Sequence, residues 1–471
     1  MKTPRILQVP LIRQDSKLDR FLAGQFSGTI FSYRQIFGML GPLVLDQFFI
    51  FLIGMLTTSM ISTSGQDSVS AVSLVGPVTM MVMSLFSALS AGGTVVVAQY
   101  KGRGDIRKMR EAAGQVVLAT FWVALVSSVA LILFAHPLVN FLFASADPSV
   151  QKKAGNYLIG IAVSFITFSL YQGTFSVLRG TGDTKTCLRL TVIINLIHLF
   201  ASMLFLNVMK LDIIGTALSF NIARLIGGGV AVYLLFSPKG SLALRAKEIF
   251  RVDFSLQKSI FRLGIPFAVE QVFFNAGSLI VQTYMVPLGT ASIAANAISN
   301  SLFGLFYGAG TAVGTLAITV VGQCIGARDY EQARRYGKKM VLLGNAATVL
   351  SIAILYPLLP SLLGLYHPEP DTLRLIYRLI LIAVIPMPFF WTLSNVTPST
   401  LRAAGDASFT STVSLITMWL VRVGLGYLLA VPVGLGVEGV WISMGAEWAV
   451  RSVIFSIRFH GKTWLTKKSI E

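Results

Sequence analysis

Leu178-Arg179-Gly180-Thr181-Gly182-Asp183 returns 223 residues later as Leu401-Arg402-Ala403-Ala404-Gly405-Asp406. Outward from this pair, further matches follow in the same order. Pro42-x-x-x-Asp46-Gln47 answers Pro266-x-x-x-Glu270-Gln271 at an offset of 224. At that same offset Gln99, Gly102 and Asp105 answer Gln323, Gly326 and Asp329, and Gly215 and Ser219 answer Gly439 and Ser443. One such match is weak, but a set held in one order within a residue of one spacing implies a duplicated unit.

The chain between these motifs is apolar. Of its 471 residues 54% are hydrophobic and 12% charged, and its mean hydropathy is +0.73. A soluble domain carries about 25% charged residues. Most of this surface must therefore face something other than water, and a bilayer is the simplest such solvent. Apolar segments of about twenty residues, enough to cross a membrane at ~1.5 Å per residue, are expected near 35–60, 70–97, 113–135, 154–177, 188–208, 215–236, 263–287, 292–322, 337–356, 373–397, 410–431 and 438–458. The fold class is an all-α integral membrane protein of twelve transmembrane helices in two six-helix bundles. An even number of spans per copy makes the bundles parallel, related by a pseudo-twofold along the membrane normal.

Loop charge orients the spans. With both termini inside, the inner segments hold thirty of the thirty-eight Lys and Arg residues. Among them are Lys101, Arg103, Arg107, Lys108 and Arg110 in one loop, and Arg328, Arg334, Arg335, Lys338 and Lys339 in its counterpart. The outer loops hold Lys152, Lys153 and Lys210, with Arg374 and Arg378 at a rim. Each Lys or Arg costs about 3 kcal/mol at mid-bilayer, so the bias sets the topology. The expectation is a multi-pass protein of the bacterial inner membrane with both termini cytosolic. It divides into an arm (1–34), a first bundle (35–236), a linker (237–262), a second bundle (263–458) and a tail (459–471). The linker carries six basic residues, including Lys239 and Lys258, around Phe250, Phe254 and Leu256, a pattern suited to an interfacial amphipathic helix.

Other readings are excluded. The net charge of +18 follows the loops and forms no aromatic-basic cluster, so no nucleic-acid partner is expected. Cys187 and Cys324 stand far apart, which favours neither a disulfide nor a metal site. Residues 1–34, with Lys2, Arg5, Arg13, Lys17, Arg20 and Arg34, lack the apolar core of a signal peptide and read as a cytosolic arm, part of it on the anionic inner leaflet. Arg103-Gly104-Asp105 spells an adhesion motif but lies in an expected cytosolic loop, and Asn395-Val396-Thr397 spells a glycosylation motif but lies in or beside a span. Gly461-Lys462-Thr463 lacks the upstream glycines of a nucleotide-binding loop. Neither an enzyme site nor a cofactor is expected.

The loop motifs resemble those of the multidrug and toxic compound extrusion (MATE) family of secondary transporters. The resemblance runs from about residue 35 to near the end. It rests on Val97-Ala98-Gln99-Tyr100-Lys101-Gly102-Arg103-Gly104-Asp105 and Leu178 to Thr186 in the first half, and on Val321 to Ala327 and Leu401 to Asp406 in the second. Read physically, Gly102, Gly182, Gly326 and Gly405 permit tight turns at helix ends. Asp105, Asp183, Asp329 and Asp406 are expected to cap the helices that follow. Arg179 and Arg402 are expected to bond the last carbonyls of the helices they end. The major facilitator architecture shares parallel halves but not the Leu-Arg-x-x-Gly-Asp turn. Lipid-linked precursor flippases share the superfamily architecture.

Ionisable groups within the spans are the candidate site. Asp46 and Glu270 lie at equivalent positions, each one turn after a proline, with Gln47 and Gln271 beside them. A carboxylate able to exchange a proton with either side is what a proton-coupled antiporter needs. A guanidinium partner would instead keep it ionised, suiting a Na⁺ site or a fixed ion pair. Arg422, Arg224 and Arg451 are candidate partners for Glu270, and Glu447 and Arg451 can satisfy each other across one turn. Asn195, His198 and Arg422 complete the candidate polar residues of the cavity. His198 is either a packing histidine or a titrating one. Carboxylates that many or some members of the resembled family carry are replaced here by Thr57, Leu199, Phe274 and Trp391. The resemblance implies secondary active efflux of small amphipathic or cationic compounds by H⁺ or Na⁺ antiport, through a cavity open to one side at a time, and a monomer in the lipid bilayer. The alternative is a flippase for a lipid-linked precursor.

Overall fold

A computed structural model describes residues 16–61, 66–144, 147–238, 240, 242–364, 366 and 368–467, with the side chains of Leu18 and residues 54–70 left aside. Its secondary structure is helical throughout these residues. Twelve helices among them are long and apolar enough to cross a membrane. The first six are Tyr33–Ile53, Ala71–Arg103, Ile106–Leu142, Pro148–Thr181, Thr184–Val208 and Asp212–Phe236. The second six are Phe254–Leu288, Thr290–Gly326, Tyr330–Gly364, Pro370–Ala403, Ala407–Ala430 and Gly436–His460.

The repeat is visible in how the spans end. Gly182 and Gly405 adopt left-handed backbones, with φ of 82° and 96°. The amide of Gly182 donates to Arg179 O and that of Asp183 to Leu178 O, both at 2.9 Å. Gly405 and Asp406 repeat the pair on Arg402 O and Leu401 O at 2.9 and 3.0 Å. This pair of hydrogen bonds is the glycine-ended helix stop, which uses two carbonyls the helix cannot use itself. The other loop motif ends on Gly104 in the first half (φ 79°) and on Arg328 in the second (φ 59°). There the second copy places a side chain where glycine suits the backbone.

Two expectations change. The seventh helix begins at Phe254, not near 263, because Asp253 caps it by accepting from the amides of Ser255 and Leu256 at 3.0 and 3.2 Å. The connection between halves therefore shortens. It holds a five-residue helix, Ala246–Phe250, fastened to the third span: Gln115 Nε2 donates to Arg251 O at 2.8 Å, and Asp253 N donates to Gln115 Oε1 at 3.1 Å. Phe250 and Phe254 remain exposed beside it. Lys239 lies outside the described residues.

The arm is described from residue 16 onward. Residues 1–15, with Lys2, Arg5 and Arg13, lie outside the described set. The remainder forms a helix, Lys17–Phe26, capped by Ser16, and docks on the second half. Tyr336 donates its hydroxyl to Phe26 O and Phe31 O at 3.3 and 3.0 Å, and Arg335 donates to Gly24 O at 3.1 Å. Phe26 and Phe31 join the same core as Val320, Val321 and Tyr336. Burying two aromatic rings is worth about 2 kcal/mol or more apiece, enough to hold the described part of the arm on the second half.

Candidate functional site

The halves meet where the second span packs on the seventh and eighth, and the first on the eighth. At the face carrying the basic loops, the second and eighth spans cross at their glycines. A Cβ on Gly102 would stand 1.9 Å from Gln323 O, and one on Gly326 would stand 1.9 Å from Gln99 O. Only glycine permits this approach. The two glutamines then exchange bonds across the halves. Gln99 Nε2 donates to Ala403 O at 2.8 Å, and Gln323 Nε2 to Gly180 O at 3.0 Å. Thr319 adds a bond to Arg179 O at 2.9 Å, and Lys101 one to Thr181 O. The last carbonyls of the fourth span, which need outside partners, thus receive two of their donors from the opposite half.

This frees the two loop arginines for another task, correcting the expectation that they bond those carbonyls. Arg179 Nη2 lies 3.2 Å from Asp46 Oδ2, and Arg402 Nη2 lies 2.6 Å from Glu270 Oε2. Each carboxylate is buried, Asp46 at 1% and Glu270 at 6% exposure. Each arginine also lies over a phenylalanine, Phe175 or Phe267. The two motifs that the sequence offers separately, one in the first helix of each half and one after its fourth, are therefore brought into one ion pair per half.

The pairs differ in their surroundings. Asp46 Oδ1 is buried with no hydrogen-bond partner. Glu270 has a second cation, Arg451, at 4.0 Å from Oε1. Arg451 in turn pairs with Glu447 at 3.1 Å, and Glu447 with Arg422 at 2.5 Å. The second half thus contains a chain of alternating charge, Arg402–Glu270–Arg451–Glu447–Arg422. Arg422 lies within a π-helical stretch, Met418–Leu425, a form frequent at functional sites. Arg422, a candidate partner for Glu270, instead finds Glu447 on another helix. Arg402, a candidate only for a helix end in the sequence, takes the shorter contact with Glu270 that was expected of Arg422, Arg224 or Arg451.

The other candidates divide. Asp105, Asp183 and Asp329 cap as expected, accepting from Lys108 N, Thr186 N and Gln332 N. Asp406 does not cap: its carboxylate turns to Arg458 of the twelfth span at 2.7 Å and Lys467 of the tail at 3.5 Å. Gly102 and Gly326 serve close approach rather than a turn, which falls to Gly104 and Arg328. Gln47 sits against Gly308 of the eighth span, and Gln271 is half-buried. Asn195 bonds Thr191 O on its own helix, and His198 stacks on Phe220. Phe274 faces Arg422, and Trp391 stacks on Tyr307; the side chain of Thr57 lies outside the described residues. Cys187 and Cys324 are free and buried. Among the described residues no group of three His, Cys, Asp or Glu is gathered as a metal would require.

Comparison with known proteins agrees with this duplicated geometry. A family model described as MatE matches twice, at residues 42–204 and 266–428, the two matches separated by the offset of the repeat. An uncharacterized transporter, YisQ of Bacillus subtilis (strain 168), is 25% identical over 438 residues, covering 92% of this chain and 95% of that protein. A probable multidrug resistance protein NorM of Thermotoga maritima is 25% identical over 420 residues, covering 88% and 89%. Among solved structures, a MATE crystal structure in the straight conformation superposes with a TM-score of 0.83 at 17% identity, over 92% of this chain and 97% of that one. An outward-facing multidrug resistance MATE transporter gives 0.82 at 16%, with the same coverage. The twelve spans, the repeated motifs and a family model covering well over half of the residues together establish that this chain belongs to the MatE family of membrane transporters.

Proposed function

We propose that the chain exports small amphipathic compounds by alternating access, driven by H⁺ or Na⁺ antiport, with residues 35–236 and 263–458 moving as two bodies. The observation that carries this reading is the reciprocal lock of Gln99 on Ala403 O and Gln323 on Gly180 O, with glycine against glutamine carbonyl on either side. These contacts close one face and can be released together. Each exchanged hydrogen bond is worth about 1 kcal/mol net, small enough to be reversed by binding elsewhere. The basic loops lie at this closed face, so we take it as cytosolic, with both termini on that side and the protein in the bacterial plasma membrane. The multidrug resistance named for NorM relatives supports an amphipathic cargo.

Asp46 is our choice for the coupling group. Its unpartnered oxygen leaves room for a proton or a small cation, whereas Glu270 is fixed between two guanidiniums. Ion and cargo then compete through the Asp46–Arg179 pair. Gln47 lines its approach, and Gln271, Asn195 and His198 are secondary polar contacts. The test is uptake of a rhodamine dye into proteoliposomes under a pH gradient and a Na⁺ gradient imposed separately. Uptake under one gradient and not under the other identifies the ion. Uptake that equilibrates but never exceeds the gradient-free level refutes antiport.

A further inference from the structure

Arg224, midway along the sixth span, takes no part in the ion pairs above. It is 8% exposed. Its Nη1 donates to Ser164 Oγ at 2.5 Å, and its guanidinium lies over the rings of Phe168 and Phe220 at 4.8 Å and Phe165 at 5.8 Å. Among the described residues no carboxylate pairs with it. Tyr157 and His198 are the titratable groups within its electrostatic reach, and neither supplies a negative charge at neutral pH.

The wider balance points the same way. Three of the buried carboxylates, Asp46, Glu270 and Glu447, are set among Arg179, Arg402, Arg422 and Arg451, and the fourth, Asp406, is held by Arg458 and Lys467, so Arg224 is left over. Every one of these carboxylates is already engaged by a guanidinium, so a cationic cargo meets only counter-charge that is already largely neutralised. An anionic group meets no such neutralisation at Arg224. Ring faces attract a cation, but less than desolvation costs a buried ion. A guanidinium left with one neutral acceptor retains N–H donors in the fork that matches a carboxylate or phosphate.

We propose that Arg224, with the Ser164 hydroxyl beside it, binds the acidic group of an amphipathic cargo, a carboxylate or phosphate oxyanion. The surrounding phenylalanines keep water out and so strengthen that pair. The preferred cargo carries an acid on an apolar body and is zwitterionic or anionic, not simply cationic. The word cargo rests on the transport reading above; the binding site does not.

The experiment compares rhodamine B, which has a free carboxylate, with its ethyl ester, which has none, by fluorescence polarisation on the purified full-length chain. Wild-type protein is expected to bind the acid more tightly, and Arg224→Met to weaken the acid by about tenfold or more while leaving the ester unchanged. Arg224→Lys retains part of the preference. Because Met removes a buried charge that lacks an ionic partner, the melting temperature of Arg224→Met is expected to hold or rise, which a packing role for Arg224 would not give. Sodium benzoate is expected to displace the acid but not the ester. Displacement by chloride at equal ionic strength, with no preference for acid over ester, would make this a free-anion site and overturn the proposal. Equal binding of acid and ester by wild-type protein overturns it too, as does an intact preference in Arg224→Met. Should Arg224→Met not fold, Ser164→Ala is expected to reduce the same preference, and an unchanged preference there counts against the site. Gradient-driven uptake of the ester tests the transport reading independently.

Discussion

Asp46 meets Arg179 through one carboxylate oxygen, at 3.2 Å, while its other oxygen is buried and unbonded. The equivalent pair, Glu270 and Arg402, is closer, at 2.6 Å, and is braced by Arg451. A duplicated motif has thus acquired two characters. One pair is loosely satisfied and able to exchange partners. The other is anchored in a charge chain.

That difference predicts opposite phenotypes. Asp46→Asn preserves volume and leaves behind an arginine that is part-exposed and lies on Phe175. The protein is expected to fold normally and to lose gradient-driven dye uptake by about tenfold or more, with exchange down a cargo gradient retained. Wild-type driven uptake by this variant in proteoliposomes would remove Asp46 from the coupling step.

Glu447→Gln is expected to act on stability. Glu447 is fully buried between Arg422 and Arg451, so the substitution leaves the buried Arg451 and the half-buried Arg422 short of a partner. Removing one member of a buried pair costs about 3–5 kcal/mol. A thermal melt in detergent should show a clear fall, larger than for Asp46→Asn. Equal melting temperatures for the two variants would contradict the charge chain.

Gly102→Val and Gly326→Val each drive a side chain into a carbonyl of the opposite half. Neither backbone can retreat without parting the second and eighth spans. The native thiol of Cys324, buried next to Gln323, reports the opening. In a Cys187→Ala background, maleimide labelling of Cys324 is expected to be slow in the parent and at least about tenfold faster in either valine variant, as an equilibrium shift of ~1.4 kcal/mol would give. Unchanged labelling would mean that the crossing is not a gate.

Arg328→Gly is expected to stabilise the protein. Arg328 holds a φ of 59° where its counterpart is Gly104, and a non-glycine residue there is strained by about 1 kcal/mol. Part of that gain is returned through the greater freedom of glycine in the unfolded chain. A net increase of about 0.5 kcal/mol, read as a small rise in melting temperature against Arg328→Ala, is the expected result.

Much of the architecture follows from the order of residues. Apolar length fixes the number of spans, because a helix must bury its own polar backbone to cross lipid. The 223–224 spacing fixes the duplication, and the glycines of Leu-Arg-x-x-Gly-Asp fix where the fourth and tenth spans stop, since a left-handed backbone is a local property. The start of the seventh helix was less legible. Asp253, a polar cap ten residues before the apolar run, decided it. So was the arm, whose aromatic residues find their cover on helices more than three hundred residues away.

What tertiary structure alone decided is pairing. Asp46 and Arg179 are 133 residues apart, and Glu270 and Arg402 are 132 apart; no local pattern says which cation each acid meets. The same holds for Arg422 with Glu447, and for the glutamines that bond carbonyls of the opposite half. Ion pairs and cross-half bonds depend on distances of a few ångström between helices whose packing is set by the whole core. The chemistry of the spans is therefore written in the sequence, while its satisfaction, and the isolation of Arg224, emerges only when the helices are assembled.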